Sequence, residues 1–171
     1  MYKRMYDQPM PEKGDPPFAL PGWIARAPFE EYLGMRIDEA ADGRAVLSMP
    51  FTVKLAQGMG LMHGGAITAL ADTAVAMAIK SILPEGTHFV TMELSLKFHA
   101  PVRSGVVRAV AAAVREDDRT IRGKAEVFDG AGVKAAEFSS LFRVKTRRGR
   151  AEKRGLGARN DAKIHRPKEA L

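Results

Sequence analysis

Residues 57–83 contain the side chains of this chain that are best suited to chemistry. Asp72 is the one ionisable side chain between Gly64 and Ile79, and its neighbours are small or apolar. A buried carboxylate without a nearby cation is energetically costly, so such a group is often kept for a function. Asp72 is therefore the first candidate for chemistry. The alternative is a structural Asp bonded to nearby backbone or to Thr68, one helical turn earlier.

The same stretch is predicted to form a buried helix over Gly64–Leu83. Neither Gly nor Pro occurs between Ala66 and Leu83, and alanine dominates, which favours helix. The apolar residues fall on every side, as is typical of a helix without a solvent-facing side. The run is too short for a membrane span and carries a central Asp.

Strand patterns lie on both sides of this helix. After a short helix at Phe29–Leu33, two predicted strands are joined by Ala40-Ala41-Asp42-Gly43, in which Asp-Gly is a strong hairpin signal. The six predicted strands are Met35–Glu39, Arg44–Met49, His88–Ala100, Val106–Arg115, Thr120–Phe128 and Val133–Lys145. A helix that is apolar all round requires a sheet that curls around it or a second subunit that covers it, and we expect both.

Composition limits the class of protein. A length of 171 residues suggests one domain with a substantial core. The absence of Cys excludes disulfides, thiolate nucleophiles and Cys-ligated metal sites. No apolar segment follows Lys3 and Arg4, so no signal peptide is predicted and the cytoplasm is the expected location. The sequence contains no Walker-type phosphate loop, no dinucleotide fingerprint, no Gly-x-Ser-x-Gly elbow and no metal-ligand spacing among its His residues.

The positive charge is concentrated at one end of the chain. Residues 145–171 hold ten of the 27 Lys and Arg residues and three of the 20 acidic ones, so residues 1–144 are neutral with 17 of each. We therefore predict a proline-rich arm over 1–27, a folded domain over 28–145 and a basic, disordered tail over 146–171. Adhesion of the tail to nucleic acid or membrane is the less favoured alternative.

The order of motifs resembles that of the hotdog-fold acyl-CoA thioesterases, in particular the phenylacetate-degradation (PaaI-like) type related to 4-hydroxybenzoyl-CoA thioesterase. Gln57, His63-Gly64-Gly65 and Asp72 are followed by strands carrying Phe98-His99-Ala100-Pro101 and Gly105. Asp72 lies nine residues after the His and fifteen after Gln57, a more specific pattern than His-Gly-Gly alone. Over residues 28–145 the resemblance implies an α+β hotdog fold, an antiparallel sheet wrapped around one long helix, and hydrolysis of an acyl-CoA thioester without cofactor or metal.

The resemblance also implies roles for individual residues. The backbone N–H of Gly64 would polarise the thioester carbonyl, and unpaired N–H groups with the macrodipole at a helix start suit that task. Asp72 would act as base or nucleophile, and the amide of Gln57 would hold water or the thioester. His63 would support the turn and, with Gly65, border the substrate.

For each of these residues a simpler explanation exists. Gly64 and Gly65 suit a helix start with close packing, and Gln57 suits an ordinary polar loop. For His63 the structural role is already the preferred one, and the alternative is a functional one, since a His can titrate near pH 7. Thr91 lies near a position at which some relatives place a hydroxyl beside the water.

The phosphates of CoA require basic residues at the rim of the site. The candidates are Lys97, His99, Arg103 and Arg122, of which Lys97 and Arg103 are preferred as substrate-binding residues; the alternative is solvated surface charge. Met59 and Met62 are expected to line an adaptable acyl pocket.

The spacing along the helix predicts a homodimer. Gly64 and Asp72 are eight residues apart, or about 12 Å along the helix axis, whereas reacting groups must approach to about 3 Å. Two antiparallel helices can each offer the N-terminus to the other's Asp72, giving two sites at the interface. Association of dimers into a tetramer and the identity of the acyl group are left open. A second functional class also remains, a non-catalytic acyl-CoA-binding sensor, although the proline-rich arm cannot form a helix-turn-helix.

Overall fold

A computed structural model of the protein describes residues 7–145, and the predicted basic tail lies outside them. Six strands form one antiparallel sheet in the order β1-β2-β4-β5-β6-β3, which confirms the prediction of a sheet with one long helix. The strands are β1 (Arg36–Ala41), β2 (Arg44–Pro50), β3 (Phe89–Phe98), β4 (Val106–Arg115), β5 (Thr120–Phe128) and β6 (Lys134–Val144). The helices are α1 (Pro28–Leu33) and α2 (Gly64–Lys80), and none between residues 7 and 145 is long and apolar enough to cross a membrane.

The hairpin between β1 and β2 closes on two residues rather than the four predicted. Asp42 and Gly43 both have positive φ, 48° and 77°, as a type I′ turn requires. The Gly43 N–H donates to Ser81 Oγ at 2.8 Å, just beyond the end of α2. The turn is therefore tied to the helix.

Helix α2 ends at Lys80, three residues earlier than predicted. Pro84 has no N–H to donate to the Lys80 carbonyl, which is its helical i−4 partner. That carbonyl accepts a hydrogen bond from Trp23 Nε1 instead, at 2.9 Å. The N-terminal arm thus caps the C-terminus of the central helix.

The second half of the arm packs on the domain mainly through Trp23 and Ala25. The Trp23 ring lies edge-on to Phe89 at 6.5 Å, and Ala25 is buried. Leu20 and Ile24 of the same arm do not pack in this way, since these side chains are 41% and 37% exposed. Their apolar character alone did not distinguish them from Trp23, whose indole N–H has a partner on the helix.

The centre of α2 rests directly on β5 at Gly123. A Cβ at this position would overlap the Val75 Cγ1 methyl group and would lie 2.9 Å from Ser140 Oγ. Val75 and its helical neighbours Ala71 and Ala74 are fully buried. Gly123 therefore sets how closely the helix approaches the sheet.

We expect Gly123→Ala to lower the free energy of unfolding by about 1–3 kcal/mol, because the added methyl group overpacks a filled core. Urea denaturation followed by circular dichroism measures this change. Gly22→Ala is the matched control, since a Cβ on Gly22 meets nothing within 4 Å. Equal midpoints for the two variants would contradict the close contact at Gly123.

One face of α2 stays partly open in the single chain, so the sheet alone does not cover the helix on all sides. Thr68, Ala69, Asp72 and Ala76 are half-buried and recur at helical spacing. The helix packs mainly on β2, β4 and β5. It therefore does not cover β3, which forms one edge of the sheet. That strand, β3, exposes large apolar side chains, namely Val90, Met92, Leu94 and Phe98, which are 50–59% exposed.

Candidate active site

One backbone N–H at the N-terminus of α2 has no hydrogen-bond partner among the described residues. His63 is the N-cap residue, and its Nδ1 accepts a hydrogen bond from the Gly65 N–H at 2.9 Å. The His63 carbonyl accepts from Ala66 and Ile67 at 2.9 and 3.3 Å. The Gly64 N–H has no partner among residues 7–145. His63 therefore has the predicted structural role, and Gly64 is the residue whose N–H can bind a ligand.

A cleft of about 420 Å³ opens at this helix end. Its walls are mostly apolar, and they comprise Gln57, Leu61, Met62, Gly64, Ile67, Phe98, His99, Ala100, Pro101 and Val102. Gln57 and Gly64 are thus brought together as predicted. Met62 is buried in the wall, whereas Met59 is 84% exposed and lies outside it.

The side chain of Gln57 is oriented by its own turn. Its Oε1 accepts a hydrogen bond from the Met59 N–H, and its backbone carbonyl accepts from the Gly60 N–H at 2.9 Å. The structural and functional explanations for Gln57 are therefore compatible. The oxygen holds the turn, and the NH₂ group remains as a donor for a ligand in the cleft.

Asp72 has the environment of a reactive carboxylate. Its Oδ1 is buried without a hydrogen-bond partner among the described residues. Burial raises the pKa of Asp72, and hydrogen bonding with the Thr91 side chain on β3 acts in the opposite direction. The suggested structural bond to Thr68 is not found, because the Thr68 hydroxyl donates to the Gly64 carbonyl at 2.9 Å.

Asp72 and Gly64 do not share a cleft within one chain. Asp72 lies two turns farther along α2 and is absent from the walls described above. It instead faces Thr91 across the half-open side of the helix. The predicted separation of these two groups along the helix axis is therefore present.

The basic candidates lie in different places. Arg103 and Arg108 line a groove of about 1160 Å³ that adjoins the cleft through Pro101. Lys97 lines another groove, of about 710 Å³, on the sheet face away from the helix. Arg103 is thus near the helix end, and Lys97 is not.

The two remaining basic candidates have acidic partners. His99 Nε2 lies 3.3 Å from Glu137 Oε2, and Arg122 pairs with Glu116. Over residues 7–145, no three His, Asp or Glu side chains are grouped so as to hold a metal ion.

Phe98 also lines the cleft, although its sequence position alone did not predict a role for it. The tip of its ring, Cζ, is 2.9 Å from the position that a Cβ on Gly64 would occupy. The ring is 54% exposed. Its place in Phe98-His99-Ala100-Pro101 was the available signal, but a sequence does not show which residue on β3 reaches the helix end.

Comparisons with known proteins define the class. Residues 59–136 match the family described as the thioesterase superfamily. A proofreading thioesterase, EntH from Klebsiella pneumoniae, is 39% identical over 77 residues, which are 45% of this chain and 56% of that protein. A putative esterase from Halobacterium salinarum is 34% identical over 89 residues, or 49% of this chain and 58% of that protein. The chain therefore spans less than two thirds of the length of these two relatives.

A solved structure supports the same class. A mutant of the phenylacetic acid degradation protein PaaI from Thermus thermophilus is 30% identical, with a TM-score of 0.63 over 68% of this chain and 98% of that one. The chain belongs to the thioesterase superfamily and has its hotdog fold, of the PaaI-like type.

Proposed function

We propose that the protein hydrolyses an acyl-CoA thioester to the free acid and CoA. The observation that carries this proposal is the unpaired Gly64 N–H at the start of a largely buried helix, opening into an apolar cleft. A donor in this position stabilises the negative charge that develops on a carbonyl oxygen under attack. Membership of the thioesterase superfamily supports the reaction type.

In the proposed reaction the thioester oxygen accepts hydrogen bonds from the Gly64 N–H and the Gln57 NH₂ group. Asp72 takes a proton from water as the water oxygen attacks the carbonyl carbon. The tetrahedral intermediate collapses, the C–S bond breaks, and the proton passes from Asp72 to the CoA thiolate. Direct attack by the carboxylate through an anhydride is the alternative. In both routes a raised pKa makes Asp72 a stronger base.

The proposed site requires two copies of the chain. Within one chain, Phe98 contacts Gly64 and Thr91 contacts Asp72. A two-fold axis between these contacts brings Asp72 of the partner subunit to the Gly64 end of the first subunit. The same axis pairs β3 with its copy and covers the half-open face of α2. The exposed apolar edge described above supports this arrangement, because proteins rarely leave such an edge unpaired.

Thiol release from a panel of acyl-CoA esters tests the proposal directly. The chain contains no Cys, so a thiol reagent reports released CoA without a protein background. We expect turnover of at least one ester, and size-exclusion chromatography should show a dimer or a pair of dimers. Tight CoA binding without turnover of any ester would instead favour the non-catalytic sensor.

A further inference from the structure

The N-terminal arm is fixed at one end of the edge strand β3. Trp23 donates its indole N–H to the Lys80 carbonyl at 2.9 Å, and its ring meets Phe89 at 6.5 Å. Phe89 is the first residue of β3. Ala25, two residues after Trp23, is buried, so this half of the arm has a defined place on the fold.

Two apolar side chains of the same half of the arm face outwards in the single chain. Leu20 and Ile24 are 41% and 37% exposed, on either side of Trp23 in the sequence. Because Trp23 and Ala25 are held in place, Leu20 and Ile24 present apolar surface at a fixed position. That surface is available for contact with a second subunit.

Within one chain the arm lies far from the cleft at the start of α2. The arm meets β3 at Phe89, whereas Phe98 and Ala100, at the other end of this strand, line the cleft. A strand rises about 3.3 Å per residue, so the distance from Phe89 to Phe98 along β3 is about 30 Å. The arm therefore does not border the cleft of its own chain.

The proposed two-fold axis brings the arm and the cleft together across the two subunits. It places Phe98 of one strand beside Thr91 of the partner subunit, because these residues contact the two groups that share a site. In an antiparallel pair of identical strands, each step forward along one strand is matched by a step back along the other. Phe89 therefore lies beside Ala100 of the partner subunit, which lines that subunit's cleft.

We infer that the N-terminal arm of each subunit forms part of the wall of the other subunit's cleft, with Leu20 and Ile24 facing the thioester substrate. This inference rests on the two-fold arrangement of the proposed function. Arm and cleft lie on the same side of the sheet, since Trp23 is bonded to the end of α2 and the cleft opens at the start of that helix.

Cross-linking between engineered cysteines tests this placement and needs no turnover. The chain contains no Cys, so Ile24→Cys combined with Ala100→Cys gives one thiol on the arm and one at the cleft. A short bismaleimide should join two chains into a covalent dimer on a denaturing gel, because the two positions are too far apart within one chain. Asp38→Cys combined with Ala100→Cys is the matched control, since Asp38 is exposed on β1, at the opposite edge of the sheet.

The outcomes separate the placement of the arm from the proposed reaction. No covalent dimer in the test variant, or as much of it in the control, would overturn the inference. Turnover of an ester without the cross-link would refute the placement of the arm alone. A cross-linked dimer that hydrolyses no ester would refute the proposed reaction alone.

A kinetic test uses the contact that holds the arm. Trp23→Ala should raise KM at least about threefold and keep kcat within about twofold, because the arm borders the substrate without touching the reacting atoms. Met10→Ala is the control, since Met10 is a 61% exposed apolar residue of the same arm, ahead of the part that Trp23 holds. An unchanged KM in Trp23→Ala, or an equal rise in Met10→Ala, would contradict the inference.

Discussion

Asp72→Asn is expected to lower kcat by about 10²- to 10⁴-fold, the usual contribution of a positioned general base. The amide has nearly the same shape, but it can neither take a proton from water nor attack the thioester. Steady-state kinetics on the best substrate of the panel measures the loss. Asp38→Asn, which removes an exposed carboxylate from β1, serves as the control and should keep wild-type rates. Equal rates in wild type and Asp72→Asn would remove Asp72 from the mechanism.

The same substitution is expected to stabilise the fold, and this gain should depend on pH. Because burial raises the pKa of Asp72, the folded state favours the protonated form, and the charged form is unfavourable at neutral pH. The wild-type protein therefore loses stability as the pH rises through the folded-state pKa of Asp72. Asp72→Asn does not lose this stability, because its amide stays neutral. The difference in thermal midpoint should be largest at neutral pH and should vanish as the pH falls below the unfolded-state pKa of about 4. A midpoint that is lower at every pH would contradict this account.

Gly64→Pro should lower kcat by about 10²- to 10³-fold, because proline removes the N–H that is proposed to hold the developing oxyanion. The helix tolerates proline here, since Gly64 is its first residue and the preceding His63 is extended, with φ −65° and ψ 133°. Gly64→Ala is the control: it adds the same Cβ beside Phe98 but keeps the N–H. We expect its kcat with acetyl-CoA to fall far less, and similar losses in both variants would point to crowding rather than hydrogen bonding.

Mixed dimers test whether the two groups act across subunits. A heterodimer of Gly64→Pro and Asp72→Asn subunits, purified with two different tags, contains one complete site, formed by Gly64 of one subunit and Asp72 of the other. It should recover about half of the wild-type kcat, whereas both homodimers keep only the strongly reduced kcat of each single substitution. No recovery in the heterodimer would mean that Gly64 and Asp72 serve the same site within one chain.

Local patterns determined much of this protein without a structure. Helix α2 and the strands were predictable, because alanine content, alternation and Asp-Gly turns act over short distances in the chain. The candidate groups Gln57, Gly64 and Asp72 followed from their spacing and from the resemblance of the motifs. The distance between Gly64 and Asp72 could also be predicted, since the rise of a helix is constant.

Contacts between distant segments were decided by the tertiary structure alone. The Lys80 carbonyl at the end of α2 is capped by Trp23, 57 residues away, and the closeness of helix and sheet depends on Gly123 beneath Val75. The all-round apolar pattern of the helix predicted that a second subunit covers it, but only the structure shows that β3 is the strand left exposed in the single chain. The position of Phe98 against Gly64 belongs to the same group, because the pairing of β3 with β6 sets which side chain of that edge strand reaches the start of the helix.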